Sequence, residues 1–381
     1  MADNPYIEDP VCEFEDLEEL FEEQAAEQVE LLREAVDFHD YRYYVKNDPV
    51  ISDRLYDCLF RRLEELEEAF PALRSPNSPT QRVGAEPMDK LERTEHVRPM
   101  LSLNAEFEPE DVSGFDRFVR ERLGQVDGGE FSYVCEPKFD GLSIEVIYEN
   151  GELIRAATRG NGEVGELVTP NVRTIPSVPL RLRGDHPDFL AVRGEVLMPK
   201  SRFQELNKQR LEGGEDAFAN PRNAAAGTVR LLDPSQVAER PLDVYFYEIL
   251  ETSGEPFATE VDALETFPDW GLKVDEHSRL CESFEEVEQF YDELCELRDE
   301  LDYEIDGMVI KVNEIGLRDE LGVRSRSPRW ALAWKFAPKK EVTELVDIVV
   351  QVGRTGKLTP VALLDPVEVG GVTVSRATLH N

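Results

Sequence analysis

The chain opens with two runs of helical period. From about residue 15 to 44, Leu17, Leu20, Phe21, Val29 and Leu32 recur at helical spacing, with Glu and Gln between them, which predicts one helix. Asn47-Asp48-Pro49 supplies a turn. Ser52 then fits the N-cap of a second helix that carries Leu55, Leu59, Leu63 and Leu66 on one face and stops at Phe70-Pro71. Residues 75–79 read as a loop and a unit boundary. From about Ser132 the period shortens to two. Leu142, Ile144, Val146 and Tyr148 alternate with Ser143 and Glu145. Asn150-Gly151 predicts a tight hairpin turn, with 153–158 returning. Further strands are expected over 190–197, 244–250, 307–312 and 330–336, and helices over 201–211 and 283–297. No regular βαβ repeat emerges, so the pattern predicts an α+β fold of antiparallel sheets with flanking helices behind a small helical domain. Past Pro338 the chain is rich in Val and Gly, over 348–352 and 367–374. Two or three strands are expected there, with the rest of a small β domain expected beyond Asn381, because their edges would otherwise be bare.

Within this frame, the run Cys135-Glu136-Pro137-Lys138-Phe139-Asp140-Gly141 places a lysine between two carboxylates, on a turn just ahead of the first hairpin strand. A bare lysine in such a turn is a surface charge. A nucleophilic amine must be neutral, so something must depress its pKa, and Lys311 and Lys335 would do so if they share its pocket. In 330–336 the bulky residues should point one way and Lys335 the other, beside Ala331 and Ala333, leaving room for a ligand. Arg193-Gly194-Glu195 sets a carboxylate on a strand, and Arg159 lies in the glycine-rich turn 158–162. Singly, each is a solvated charge. Together, cations that hold phosphate oxygens and carboxylates that orient an amine or a metal suit phosphoryl chemistry.

Acidic residues number 80 and basic ones 42, for a net charge of −38, and only 11 of the basic residues are Lys. Such a chain repels nucleic acid at low salt. Acid excess runs along the whole sequence rather than in one tail, which favours a very salty cytoplasm, where the Debye length falls to roughly 3 Å. The five cysteines form no C-x-x-C pair, so zinc is not expected. No apolar stretch approaches 18 residues and the N-terminus is acidic, so neither a membrane span nor a signal peptide is expected, and a reducing cytoplasm is.

In order and spacing these segments resemble the NAD-dependent DNA ligases, from about Leu31 to the last residue. The stretches that carry the resemblance are 135–141, 157–162, 193–195, 218–227, 305–312, 328–336 and 351–356. Asp53-Arg54-Leu55-Tyr56-Asp57 is similar to the D-x-x-Y-D signature of the nicotinamide-mononucleotide (NMN)-binding domain, and residues 78–84 and Ser102-Leu103-Asn104 are similar to other family segments. The resemblance implies a helical NMN-binding domain over 1–92. It implies an adenylation domain of nucleotidyltransferase, ATP-grasp-like fold over 93–338, and the beginning of an OB barrel over 339–381. It implies that Lys138 takes AMP from NAD. Glu136, Ser102 and Leu103 would contact the adenine side, and Arg159 and Glu195 the ribose. Lys311 and Lys335 would hold the α-phosphate. Mg2+ would sit on phosphates and water near Glu195 and Asp140, with Asp140 orienting Lys138 or the metal shell. Tyr43, Asp53, Tyr56 and Asp57 would grip the nicotinamide half, where an aromatic face and carboxylates suit a cationic ring; Tyr41 and Tyr44 fit helix packing as well. Arg222, Arg230, Arg298 and Arg354 resemble positions that serve the diphosphate or the DNA backbone. The cluster Arg324, Arg326, Arg329, Lys339 and Lys340 offers a second DNA-facing edge.

Nicked duplex DNA is the implied partner, a monomer is expected, and zinc is expected only in the family's further C-terminal part. Two departures stand out: Asn161 where many relatives carry Asp, and Leu167 after Glu166. Two rivals remain. An ATP-dependent ligase or capping enzyme shares K-x-D-G but lacks D-x-x-Y-D. A non-catalytic protein on a decayed ligase fold should have lost Lys138, Glu195, Lys311 or Lys335, and all are present.

Overall fold

The structure is a computed structural model that describes residues 4–8, 10–17, 20–46, 48–82, 88–124, 131–324, 327–337, 341–352, 358–369 and 372–379. The first predicted helix begins later than expected, at Glu22–Asp40, and continues as a π-helical turn, Tyr41–Val45. Phe21 is its N-cap, and the Gln24 side chain accepts the Phe21 N–H at 3.1 Å. The second helix, Asp53–Ala69, starts as predicted, with Ser52 Oγ accepting the Leu55 N–H. Ala25, Val29, Leu32 and Val36 lock against Leu59, Leu63 and Leu66, all fully buried. Arg33 crosses this interface to Glu67 at 2.6 Å. A reducing cytoplasm was expected, yet Cys12 and Cys58 are joined, tying the chain ahead of Glu22 to the second helix.

In chain order the strands of the central part are β1 (Arg93–Glu95), β2 (Asn104–Glu106), β3 (Tyr133–Phe139), β4 (Leu142–Glu149), β5 (Glu152–Thr158), β6 (Val164–Glu166), β7 (Phe189–Leu197), β8 (Asp243–Thr252), β9 (Arg279–Cys281), β10 (Ile305–Val312), β11 (Val323–Arg324), β12 (Ser327–Pro328) and β13 (Ala331–Lys335). One sheet has the order β2-β13-β10-β3-β9, antiparallel except for the β2–β13 pair. The other, β5-β4-β7-β8, is antiparallel throughout. β1 with β6 and β11 with β12 form short ladders. Helices flank both sheets, which is the expected α+β arrangement. At the end of the chain, β14 (Leu345–Val352), β15 (Leu358–Val369) and β16 (Val372–Thr378) form an antiparallel meander. Leu345, Val346, Ile348 and Val350 of β14 are exposed.

Alternation along the strands decides what the sheets present to each other. Tyr133, Cys135, Met308, Ile310, Leu332 and Trp334 share one core with residues of the helices Pro109–Arg122 and Phe284–Leu297. Ile144, Val146, Tyr148, Val192, Val196 and Phe246 share another with the helix Pro221–Val229. The intervening positions, Glu136, Lys138, Gly307, Lys311, Ala331, Ala333 and Lys335, are left for the opposite face of the first sheet. Lys311 donates to the Tyr247 carbonyl of the second sheet at 2.8 Å, so these polar faces look at each other. Lys138 is not on a turn ahead of the hairpin; it is the penultimate residue of β3, a strand of the other sheet. The turn is Asp140-Gly141, where a Cβ on Gly141 would overlap the Val196 carbonyl.

Candidate functional site

Lys138, Gly307 and Lys335 lie side by side on three neighbouring strands, because Gly307 pairs with both lysines. Gly307 has no side chain to separate them, and an added Cβ would overlap the Trp334 carbonyl. The residue before it, Asp306, is the extra one in a β-bulge between Ile305 and Gly307. A bulge re-aims a side chain, and here Asp306 reaches both lysines. Lys138 Nζ donates to Asp306 Oδ1 at 2.7 Å, and Lys335 Nζ lies 3.2 Å from Oδ2. All three side chains are about a quarter to a third exposed. The sequence pattern pointed to like charge beside Lys138; the structure puts a carboxylate between Lys138 and Lys335.

Lys311 does not join them. It is buried, and its three ammonium hydrogens face Glu136 (2.9 Å), Glu260 (2.8 Å) and the Tyr247 carbonyl (2.8 Å). Glu260 also holds Arg318 at 2.9 Å. Burial pushes the Glu136 carboxyl up to about 7 against the pull of Lys311. Burial also works against a charge on Lys311, but Glu136 and Glu260 outweigh it and raise its pKa. A chain of alternating charge thus runs through the interior beside the Lys138 site.

On the facing sheet, Ser143 and Glu195 are paired across β4 and β7. Tyr247 meets Ser143 Oγ at 2.9 Å and donates to Glu195 at 3.4 Å. Glu195 is half-buried, and burial pushes its carboxyl up to about 7, opposed by Lys138 and Arg222. Arg222 holds Asp140 at 2.8 Å. Arg159, followed by Gly160 in the left-handed region (φ 53°), donates to Ser102 Oγ at 2.5 Å. Its Nε is buried without a hydrogen-bond partner among the described residues. Leu103 is half-buried next to Ser102.

In the helical unit, Tyr56 donates to Asp40 at 2.8 Å and stacks on Phe60. Tyr43 is exposed, edge-on to Tyr44. Asp53 and Asp57 are exposed, and their side chains make no hydrogen bond or ion pair among the described residues. Tyr41 packs, donating to the Pro268 carbonyl at 3.0 Å under the Arg183 guanidinium. Arg230 pairs with Glu166 at 2.8 Å, and Arg298 lies over the Phe336 ring. Arg354, Arg326, Lys339 and Lys340 lie outside the described residues.

Sequence reasoning missed Asp306, Glu260 and Tyr247. Asp306 carried a signal, a carboxylate at a strand start just before glycine. Glu260 reads only as an acid in the first turn of a helix, and nothing in the sequence sets Tyr247 apart.

Three family models match the chain. The DNA ligase-like, N-terminal NAD+-binding domain covers residues 22–84. The NAD-dependent DNA ligase adenylation domain covers 88–339, and the NAD-dependent DNA ligase OB-fold domain covers 342–381. A DNA ligase of Haloferax volcanii is 59% identical over 378 residues, covering 99% of this chain and 53% of that protein. One from Haloarcula marismortui is 57% identical over 381 residues, covering 100% of this chain and 54% of that protein. One from Salinibacter ruber is 51% identical over 364 residues, covering 94% and 52%. The chain therefore spans about half the length of the curated relatives it matches. With the adenylation model covering well over half of the chain and these identities running along nearly all of it, the chain belongs to the NAD-dependent DNA ligase family.

Proposed function

We propose that this chain adenylates itself from NAD, and that within a longer protein it seals nicks in duplex DNA. The observation that carries the reading is the Lys138–Asp306–Lys335 chain on adjacent strands. Lys138 Nζ attacks the α-phosphorus of NAD. A P–N bond forms, the P–O bond to NMN breaks, and NMN leaves with the electron pair. Asp306, already at 2.7 Å, takes the proton from Nζ. Lys335 faces the charge that builds on the phosphate oxygens.

The distance of Lys311 from the Lys138–Asp306 pair and its contact with Glu136 favour a role at the base rather than at the α-phosphate. An adenine edge presents an amino donor beside a ring-nitrogen acceptor; Glu136 offers the acceptor, and Lys311 the donor when it exchanges one of its three present partners for the ring nitrogen. Glu195 suits the ribose hydroxyls, and Arg159 with Ser102 and Leu103 the adenosine. Exposed Tyr43, with Asp53, Tyr56 and Asp57, suits the nicotinamide half. Among the described residues no three His, Cys, Asp or Glu side chains form a ligand set. Mg2+ would therefore rest on phosphate oxygens and water, with Glu195 and Asp140 in its outer sphere, neutralising phosphate charge. In the longer protein AMP passes to the 5′-phosphate of a nick and is displaced by the 3′-hydroxyl. Arg222, Arg230 and Arg298 are proposed to face the nucleic acid. A monomer in the cytoplasm suits this work, and no described helix is long and apolar enough to cross a membrane.

The test is the intact mass of the chain in high salt with Mg2+ and either NAD or ATP. One adenylate gained from NAD alone, and lost in Lys138→Ala, supports the reading. Gain from ATP alone, or from neither, overturns it.

A further inference from the structure

Glu145 is completely buried on β4, yet it sits on the face that also carries Ser143, not among the apolar side chains behind the sheet. A carboxylate in such a place needs partners that outweigh its desolvation. Two hydrogen bonds supply them: the Val97 N–H donates to Oε2 at 2.9 Å and Arg155 Nη2 donates to Oε1 at 3.1 Å, while His96 Nδ1 lies 3.5 Å from Oε1 without a hydrogen bond. Burial raises the carboxyl pKa, but His96, Val97 and Arg155 together bring it below its ordinary value, so the buried group stays charged. The His96 side chain is wholly buried, and its other ring nitrogen, Nε2, meets the Arg159 carbonyl at 3.1 Å. A carbonyl only accepts, so Nε2 carries the hydrogen.

The segment following His96 is laced to the turn that follows Arg159. His96 N–H donates to the Glu163 carbonyl at 3.0 Å, and Met100 N–H to the Gly162 carbonyl at 2.7 Å. Both ends of the Arg159–Ser102 contact therefore hang from one buried pair: Glu145 holds the segment after His96 through Val97, and His96, packed against Glu145, holds the turn through the Arg159 carbonyl. Arg155 Nη1 adds a bond to Thr94 Oγ1 at 3.0 Å, fixing the start of the same segment.

We infer that Glu145 and His96 are positioning residues that hold the Arg159–Ser102 clamp in the geometry that receives the adenosine half of NAD. Neither touches the nucleotide; they set where the clamp stands. The inference rests on the proposed function for what the clamp binds, but not for the clamp itself.

The experiment uses the full chain with His96→Ala, His96→Gln, Glu145→Gln and Glu145→Ala, in molar KCl. Single-turnover adenylation is followed by intact mass against NAD concentration. Hydrogen exchange is read over residues 96–103 and 159–163. Expected for His96→Ala and Glu145→Ala is an apparent KM for NAD raised about tenfold, the worth of one well-placed buried hydrogen bond. The plateau rate should change less than about threefold. His96→Gln, which can still present a donor to the Arg159 carbonyl, should recover part of the loss. Exchange should quicken in those two segments and not in β3 or β10. An unchanged KM with unchanged exchange in His96→Ala overturns the inference, as does an equal loss in His96→Ala and His96→Gln. Should Glu145→Ala fail to fold, the two His96 variants and Glu145→Gln decide. Wild type that gains no adenylate from NAD would overturn the proposed function instead, and the exchange pattern alone would then test the anchor.

Discussion

Glu136 accepts a hydrogen bond from Lys311 at 2.9 Å, across 175 positions of sequence and inside the protein, with Glu260 on the other side of the same ammonium. Removing the shared cation would leave two buried carboxylates facing each other. Lys311→Met should therefore lower stability by about 3 kcal/mol, the usual cost of breaking a buried pair. Adding Glu260→Gln should restore part of it, because residues in one network do not act additively. Denaturant midpoints in high salt measure both. A loss under about 1 kcal/mol in Lys311→Met would mean that the chain of charge is not closed.

Asp306 stands where it can take the proton from Lys138. Asp306→Asn keeps the size and a hydrogen-bond acceptor but removes the base. Its single-turnover adenylation rate should fall by about a hundredfold or more, within the range for general bases, with the KM for NAD moving little. A rise in KM with an unchanged rate would make Asp306 a binding group.

Glu195 supplies a pH signature. Its carboxyl is raised from an ordinary 4.5 to about 7 by burial. The folded chain thus holds the proton more tightly than the unfolded one. The associated stability is complete below about pH 4.5 and is lost as pH rises through 7. Glu195→Gln removes this dependence. Relative to the variant, wild type should weaken by at most about 3 kcal/mol between pH 4.5 and 8, since each tenfold difference in proton affinity between the folded and unfolded chain is worth about 1.4 kcal/mol. Unfolding midpoints at four pH values suffice, and parallel curves for the two proteins would refute it.

The exposed set on the helical unit predicts a split between donors. Tyr43→Ala and Asp53→Ala should slow reaction with NAD about tenfold or more, while sparing the transfer of AMP from preformed Lys138-AMP to a 5′-phosphate in the longer protein. The two steps share the adenylate but not the nicotinamide. Equal loss in both would remove a nicotinamide-specific role.

A net charge of −38 repels itself at low ionic strength. Thermal midpoint and adenylation rate should both rise into molar KCl as screening shortens the Debye length to about 3 Å. Full activity at low salt with inhibition at molar salt would end the high-salt reading.

Much of this protein was legible in one dimension, where the signal is local. The Ser52 cap, the leucine face of Asp53–Ala69, the Asn150-Gly151 hairpin and the Trp-and-Ala alternation around Lys335 follow from the period of side chains on a helix or a strand, which needs no partner. The lysine at 138 was likewise marked by its neighbours. What lay hidden depends on strand order. Only after β10 is inserted between β3 and β13 do Lys138 and Lys335 become neighbours. Only the bulge at Asp306 turns that carboxylate toward both of them. Lys311 shows the limit most clearly. The sequence placed it at the end of a strand with Lys138 as its supposed companion. The packing of a helix that begins at Glu260 instead gave it two buried carboxylates. A residue's identity sets which bonds it can make; which partner arrives is decided by the register and packing of elements far away in sequence, because a buried charge can persist only where the fold brings its counter-charge.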